Sequence, residues 1–228
     1  MNFSSSKTKI LLTIGDCNTF PDKLMEEENY LPIHIQKELG QHVELKNYGR
    51  PMATTREGLA ISRDQPTKPD YVVINFGLVD TWVTSIPRIY ISYYPSTIWR
   101  KYPLKWLKII KKRLRYIKRF IPHGNVVPSS EYVQNIHDLI EQCRTYNKDV
   151  KITIWTTPHT QNDLARNSEI DRYNTYLKEI AIQTGCTLCE SSDHIDYTNG
   201  NNYLDNVHLS PIATKKLGTA IGQTFLDS

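Results

Sequence analysis

Apolar residues run along this chain in short blocks whose internal spacing alternates between continuous and three-to-four-residue steps. Residues 9–14 (KILLTI) form a continuous apolar run that breaks at Gly15-Asp16, the pattern of a buried parallel strand ending in a turn. Residues 29–39 read as a helix stopped by Gly40, and 42–47 as a second short strand. The run 71–76 (YVVINF), bounded by Pro69-Asp70 and Gly77, is the clearest strand of all. Residues 131–146 carry Val133, Ile136, Ile140 and Cys143 on one helical side, and 150–155 (VKITIW) return to strand. A long helix over 170–184 closed by Gly185, a fifth strand over 186–189 and a last helix over 210–225 complete the chain. Strand and helix in repetition predict right-handed crossovers: a three-layer α/β/α sandwich with a parallel sheet, one domain spanning 1–228. Working residues in such a sheet belong on loops at the carboxyl ends of its strands.

Composition changes this picture in one place. The 228 residues are 39% hydrophobic and 23% charged, ordinary values that exclude disordered and fibrous classes. No apolar run approaches the ~20 residues of a membrane span. The N-terminus, MNFSSSKTKILLTIGD, has no signal-peptide pattern, so cytoplasmic residence with reduced cysteines is expected. Residues 99–121 (WRKYPLKWLKIIKKRLRYIKRFI) hold ten Lys and Arg and no acid; subtracting these from the net +4 leaves the rest of the chain at −6. Leu104, Leu107, Ile110, Leu114, Ile117 and Ile121 repeat at steps of three and four between Pro103 and Pro122. That basic amphipathic insert fits a helix lying on an anionic membrane surface at the inner membrane face. It equally fits a helix packed on the domain with its charges in water. No nucleic-acid fold motif accompanies the charge, so nucleic acid is not an expected partner.

The loops then supply chemistry. Gly15-Asp16-Cys17-Asn18-Thr19 follows the first strand, Asn47-Tyr48-Gly49-Arg50 the second, and Gly77-Leu78-Val79-Asp80 the third; Asp205-Asn206-Val207-His208 precedes the last helix. In this order the blocks resemble those of the SGNH, or GDSL-type, hydrolase superfamily, whose sandwich is flavodoxin-like. The resemblance implies a Cys17–His208–Asp205 triad, with Cys17 in place of the family's serine. A nucleophile needs a base and the base an orienter, and an Asp-x-x-His spacing lets the carboxylate fix the imidazole locally. Cys17 is expected to lead into a helix whose N–H groups would favour a thiolate. The amides of Cys17 and Gly49 are the implied oxyanion donors, with Asp16, Asn18, Gly77 and Asp80 shaping the substrate site.

Two departures from the family pattern bear on activity. Val79 stands where the family's oxyanion Asn would be, leaving Asn75, Asn18 or Arg50 to supply a donor, while Asp80 is read as a structural acceptor. Cys17 in place of serine disfavours plain ester hydrolysis, because a thiolate leaves a tetrahedral intermediate more readily than an alkoxide. With an acyl thioester as co-substrate the leaving groups match. The expected function is acyl transfer, or hydrolysis of acyl esters or thioesters, on an acyl-bearing small molecule, glycan or lipid-linked saccharide. The alternative is a catalytically degenerate domain acting as a membrane-surface binding or scaffold protein. No cofactor or metal is expected. His123, His159 and His194 have no evident partners, and Cys186 and Cys189 read as core residues on opposite faces of a strand.

Overall fold

Every residue of the central strand Tyr71–Asn75 is buried, as a run without polar alternation requires when helices cover both faces of a sheet. The computed structural model describes residues 8–20, 24–64, 67–85 and 123–227, with the helical positions Trp106 and Ile109. In chain order its elements are β1 (Lys9–Gly15), α1 (Leu31–Leu39), β2 (Val43–Asn47), α2 (Thr55–Asp64), β3 (Tyr71–Asn75), β4 (Val83–Ser85), β5 (His123–Asn125), α3 (Ser129–Tyr146), β6 (Lys151–Trp155), α4 (Leu164–Thr184), β7 (Thr187–Cys189) and α5 (Pro211–Thr224).

Five strands pair in parallel in the order β2-β1-β3-β6-β7. Their side chains divide by the two-residue period. Leu12, Ile14, Val72, Ile74, Ile152 and Ile154 meet residues of α2, α3 and α4 on one face. Leu11, Val73 and Trp155 meet Leu31 and Ile35 of α1 and Ala213, Leu217 and Ile221 of α5 on the other. The three-layer sandwich expected from the sequence is therefore the fold. Strand order reverses between β1 and β3, which opens a crevice beyond their carboxyl ends.

Three features depart from the sequence reading. Helix α2 is additional, α4 begins at Leu164 rather than at residue 170, and a separate antiparallel ladder joins β4 to β5. The ladder brackets the basic insert. The expected helix over 99–121 lies outside the described residues except at Trp106 and Ile109, which are helical and 70% and 49% exposed. Among the described residues no helix is long and apolar enough to cross a membrane.

Candidate active site

Strand β1 ends in a single turn: the N–H groups of Thr19 and Phe20 donate to the Asp16 carbonyl at 3.0 and 3.1 Å. Gly15 is required there, since a Cβ would fall 2.1 Å from Thr19 Oγ1 and 2.7 Å from the Asn75 carbonyl. Among the described residues no helix follows this turn directly, so Cys17 sits in a turn and not at the expected helix N-terminus. Asp16 is fully buried, and its carboxylate accepts from the Asn18 N–H at 3.1 Å and the Leu78 N–H at 3.2 Å, tying the first loop to the third. Burial pushes its pKa up to about 7, against the pull of those two donors and of Arg166.

Cys17 is buried among Leu78, Val79 and Ile170, with Met52 and Val207 against the cluster. Its Sγ accepts a hydrogen bond from the Met52 N–H at 3.0 Å. Burial, then the Asp16 charge, push the thiol pKa up to about 12, opposed by the Met52 N–H and by Arg166. Its surroundings thus favour the thiol over the thiolate expected from the sequence.

The Met52 amide is delivered by a turn. The Ala53 N–H closes onto the Arg50 carbonyl at 3.2 Å, with Pro51 and Met52 between them and Met52 at φ 60°. Proline followed by a positive-φ residue is the type II pattern, which usually takes Gly or Asn at the second position. A methionine held there stores strain of about 1–2 kcal/mol. The Gly49 N–H, the donor suggested by the sequence, is bonded to Asn47 Oδ1 at 2.9 Å. The amide that meets the sulfur is three residues further on.

The third loop supplies structure more than donors. Gly77 accepts at its carbonyl from the Thr81 N–H and hydroxyl at 3.0 and 2.6 Å. Asp80, fully buried, accepts from the N–H and hydroxyl of Thr55 at 3.0 and 2.8 Å, at the start of α2. Burial raises its pKa to about 7. Val79 packs on Cys17 and offers no side-chain donor. Asn75 Nδ2 is engaged by the Trp155 carbonyl at 3.2 Å. Asn18 Oδ1 accepts the Leu209 N–H at 3.3 Å, while its buried Nδ2 has no partner among the described residues.

That last bond stitches the histidine segment to the cysteine loop. Val207 packs against the Cys17 cluster and Leu209 bonds Asn18, so His208 is bracketed by two contacts to the same turn. Its ring Nδ1 lies 2.7 Å from Asp205 Oδ2, and its backbone N–H donates to Asp205 Oδ1 at 2.9 Å. Burial alone would raise the Asp205 pKa, but the N–H groups of Val207 and His208 and the imidazole together hold it below the usual carboxylate value. The ring makes no hydrogen bond to Cys17 in this conformation.

Two groups escaped the sequence reading. Arg166, in the first turn of α4, donates to the Leu78 carbonyl at 2.6 Å, and its guanidinium carbon sits 5.3 Å from the centre of the Trp82 ring. His159 does have partners: Asp171 at 2.6 Å and the Tyr197 ring at 4.8 Å, beside a cavity of about 460 Å³. Cys186 packs against one core layer and Cys189 lies in the other. Among the described residues no group of three or more His, Cys, Asp or Glu is arranged to hold a metal ion.

The sequence matches the model of the GDSL-like lipase/acylhydrolase family over residues 13–215. No curated protein matches it. Solved structures share the fold. A carbohydrate acetylesterase from Sinorhizobium meliloti superposes with a TM-score of 0.63 at 16% identity, covering 96% of this chain and 99% of that one. An aryl esterase from M. smegmatis gives 0.63 at 12% identity over 96% and 99%. TesA gives 0.63 at 16% over 95% and 98%. The chain belongs to the GDSL-like lipase/acylhydrolase family and is an SGNH-type esterase or acylhydrolase.

Proposed function

We propose that the chain transfers or hydrolyses acyl groups through a thioester on Cys17, with His208 as base and then acid and Asp205 as its orienter. The observation that carries this reading is the double stitch of the His208 segment to the Cys17 turn, with the Asp205–His208 pair already formed. The thiol loses its proton to His208 Nε2 as sulfur attacks the acyl carbonyl, and the carbonyl π pair moves onto oxygen. Collapse expels the leaving group, which takes that proton, and leaves an acyl-enzyme open to water or an acceptor. The Met52 N–H, 3.0 Å from the sulfur, holds Sγ in place at the mouth of this turn.

A cysteine nucleophile suits acyl thioesters as donors better than oxygen esters, for the leaving-group reason given above. The carbohydrate acetylesterase among the structural neighbours favours a saccharide or its ester as acceptor or substrate. Exposure of Trp106 and Ile109 favours contact of the 99–121 insert with an anionic membrane surface, the inner membrane face being the expected setting.

Mass spectrometry after incubation with a panel of acyl thioesters tests the nucleophile. An acyl adduct is expected on Cys17 and none on Cys17→Ala, with a rate loss of several orders of magnitude in His208→Ala. Cys17→Ser should shift preference towards oxygen esters. Full turnover by Cys17→Ala would mean that Cys17 is not the nucleophile; no adduct and no turnover in the parent would favour the degenerate, non-catalytic domain.

A further inference from the structure

Val79 leaves the oxyanion site one side-chain donor short of the family pattern. Asn75 is committed to the Trp155 carbonyl, while Asn18, held through its Oδ1 by the Leu209 amide, keeps a neutral Nδ2 donor without a partner among the described residues. A cation stands nearby. Arg166 and Ile170 are one turn apart on the same side of α4, and Ile170 packs directly with Cys17, Leu78 and Val79. The guanidinium bonds the carbonyl of Leu78, the residue immediately before Val79, and lies over Trp82. Its Nε is buried with no partner among the described residues. A positive side chain in the first turn of a helix also works against the helix dipole, so its own element gives no reason for it. Its charge reaches both Cys17 and Asp16, pulling each towards its ionised form.

We propose that Arg166 supplies the oxyanion stabilisation that Val79 cannot, its guanidinium facing the oxygen that becomes negative when Cys17 attacks an acyl carbonyl. The inference rests on the reading of Cys17 as nucleophile. No proton moves to or from Arg166; it stabilises charge that exists only in the tetrahedral intermediate, so its loss falls on kcat and not on KM.

The test uses the full chain and two acyl donors, an acetyl thioester and p-nitrophenyl acetate, with acylation of Cys17 followed in single turnovers. Arg166→Met keeps the stem against Trp82 and removes the charge. It should slow acylation about 100-fold with KM changed less than about 3-fold, the loss that removing one oxyanion donor produces. Arg166→Lys should recover part of that loss. Val79→Asn placed in the Arg166→Met background should regain at least about 10-fold, because it restores the side-chain donor elsewhere in the same site. A slowed variant that Val79→Asn does not rescue would mark Arg166 as a structural clamp on Leu78 and overturn the inference. So would an unchanged rate in Arg166→Met while Cys17→Ala is dead. Turnover retained by Cys17→Ala would instead remove the nucleophile reading, and the inference with it.

Discussion

Asp16 and Asp80 hold the loops after β1 and β3 and the start of α2 in place from positions that water does not reach. Both carboxyls have pKa values raised to about 7 from an ordinary 3.8. Between these values the folded chain keeps protons that the unfolded chain gives up, so their contribution to stability falls as pH rises through that window and levels off above it. Asp205 and Glu131, both held below their ordinary values, act in the opposite sense: their contribution is present above the ordinary carboxylate pKa and is lost as pH falls through the lowered one. Thermal melts should therefore show a higher midpoint near pH 5.5 than near pH 8, with a fall in stronger acid. Asp80→Asn should shrink the difference between pH 5.5 and 8; an undiminished difference would assign it to other groups. The Asp205–His208 pair was legible at this scale because its spacing is local. Met52 was not. Pro51 announces a turn, but a positive-φ position is normally read from glycine or asparagine, and the family resemblance pointed to Gly49 instead. Arg166 reaches the site from another element, and nothing in its sequence neighbourhood points there.

Helix α2 illustrates how an element hides in its own sequence. TREGLAISRD has few apolar residues and a glycine in the middle, yet Thr54-x-x-Glu57 is a capping-box spacing, and the Thr54 N–H does donate to Glu57 at 2.9 Å. The early start of α4 has a similar signal: Asp163 caps it by accepting the Arg166 N–H at 3.0 Å. The strands were easier, because continuous β-branched runs have few alternatives. β4 and β5 pair across the insert, so no local pattern foretells them. Helices α1 and α5 meet closely at Gly218, where a Cβ would lie 2.6 Å from His34 Cβ and 3.0 Å from the Leu31 carbonyl. Gly218→Ala should cost roughly 1–2 kcal/mol, overpacking outweighing the gain in helix propensity. A fall of a few degrees in melting midpoint, with activity retained, is the expected reading; a rise would mean the two helices separate freely.

For the whole molecule the dominant fact is the separation of charge, ten positive residues in 99–121 against a remainder at −6. Both ends of that excursion are held by one ladder, Val83 opposite Asn125, Thr84 opposite Gly124 and Ser85 opposite His123. The pairing continues inward through the Val126 N–H to the Trp82 carbonyl at 2.8 Å and the Val127 N–H to the Asp80 carbonyl at 3.2 Å. Joining Ser85 to His123 through an Asn-Gly turn, the residues a two-residue hairpin favours, should leave a cooperatively melting domain. Sedimentation with anionic vesicles at low salt should then lose the deleted chain and keep the parent. Unfolding on deletion would mean that the apolar stripe is packed on the core, and retained binding would assign the membrane contact to another face. The ladder has a further consequence. It fixes the two exits of the excursion a hairpin's width apart, and the entropy of closing a loop grows only with the logarithm of its length. By loop entropy alone, then, the sandwich tolerates chains of very different length between β4 and β5, and this ladder is the point at which a segment can be grafted with least cost to the sheet.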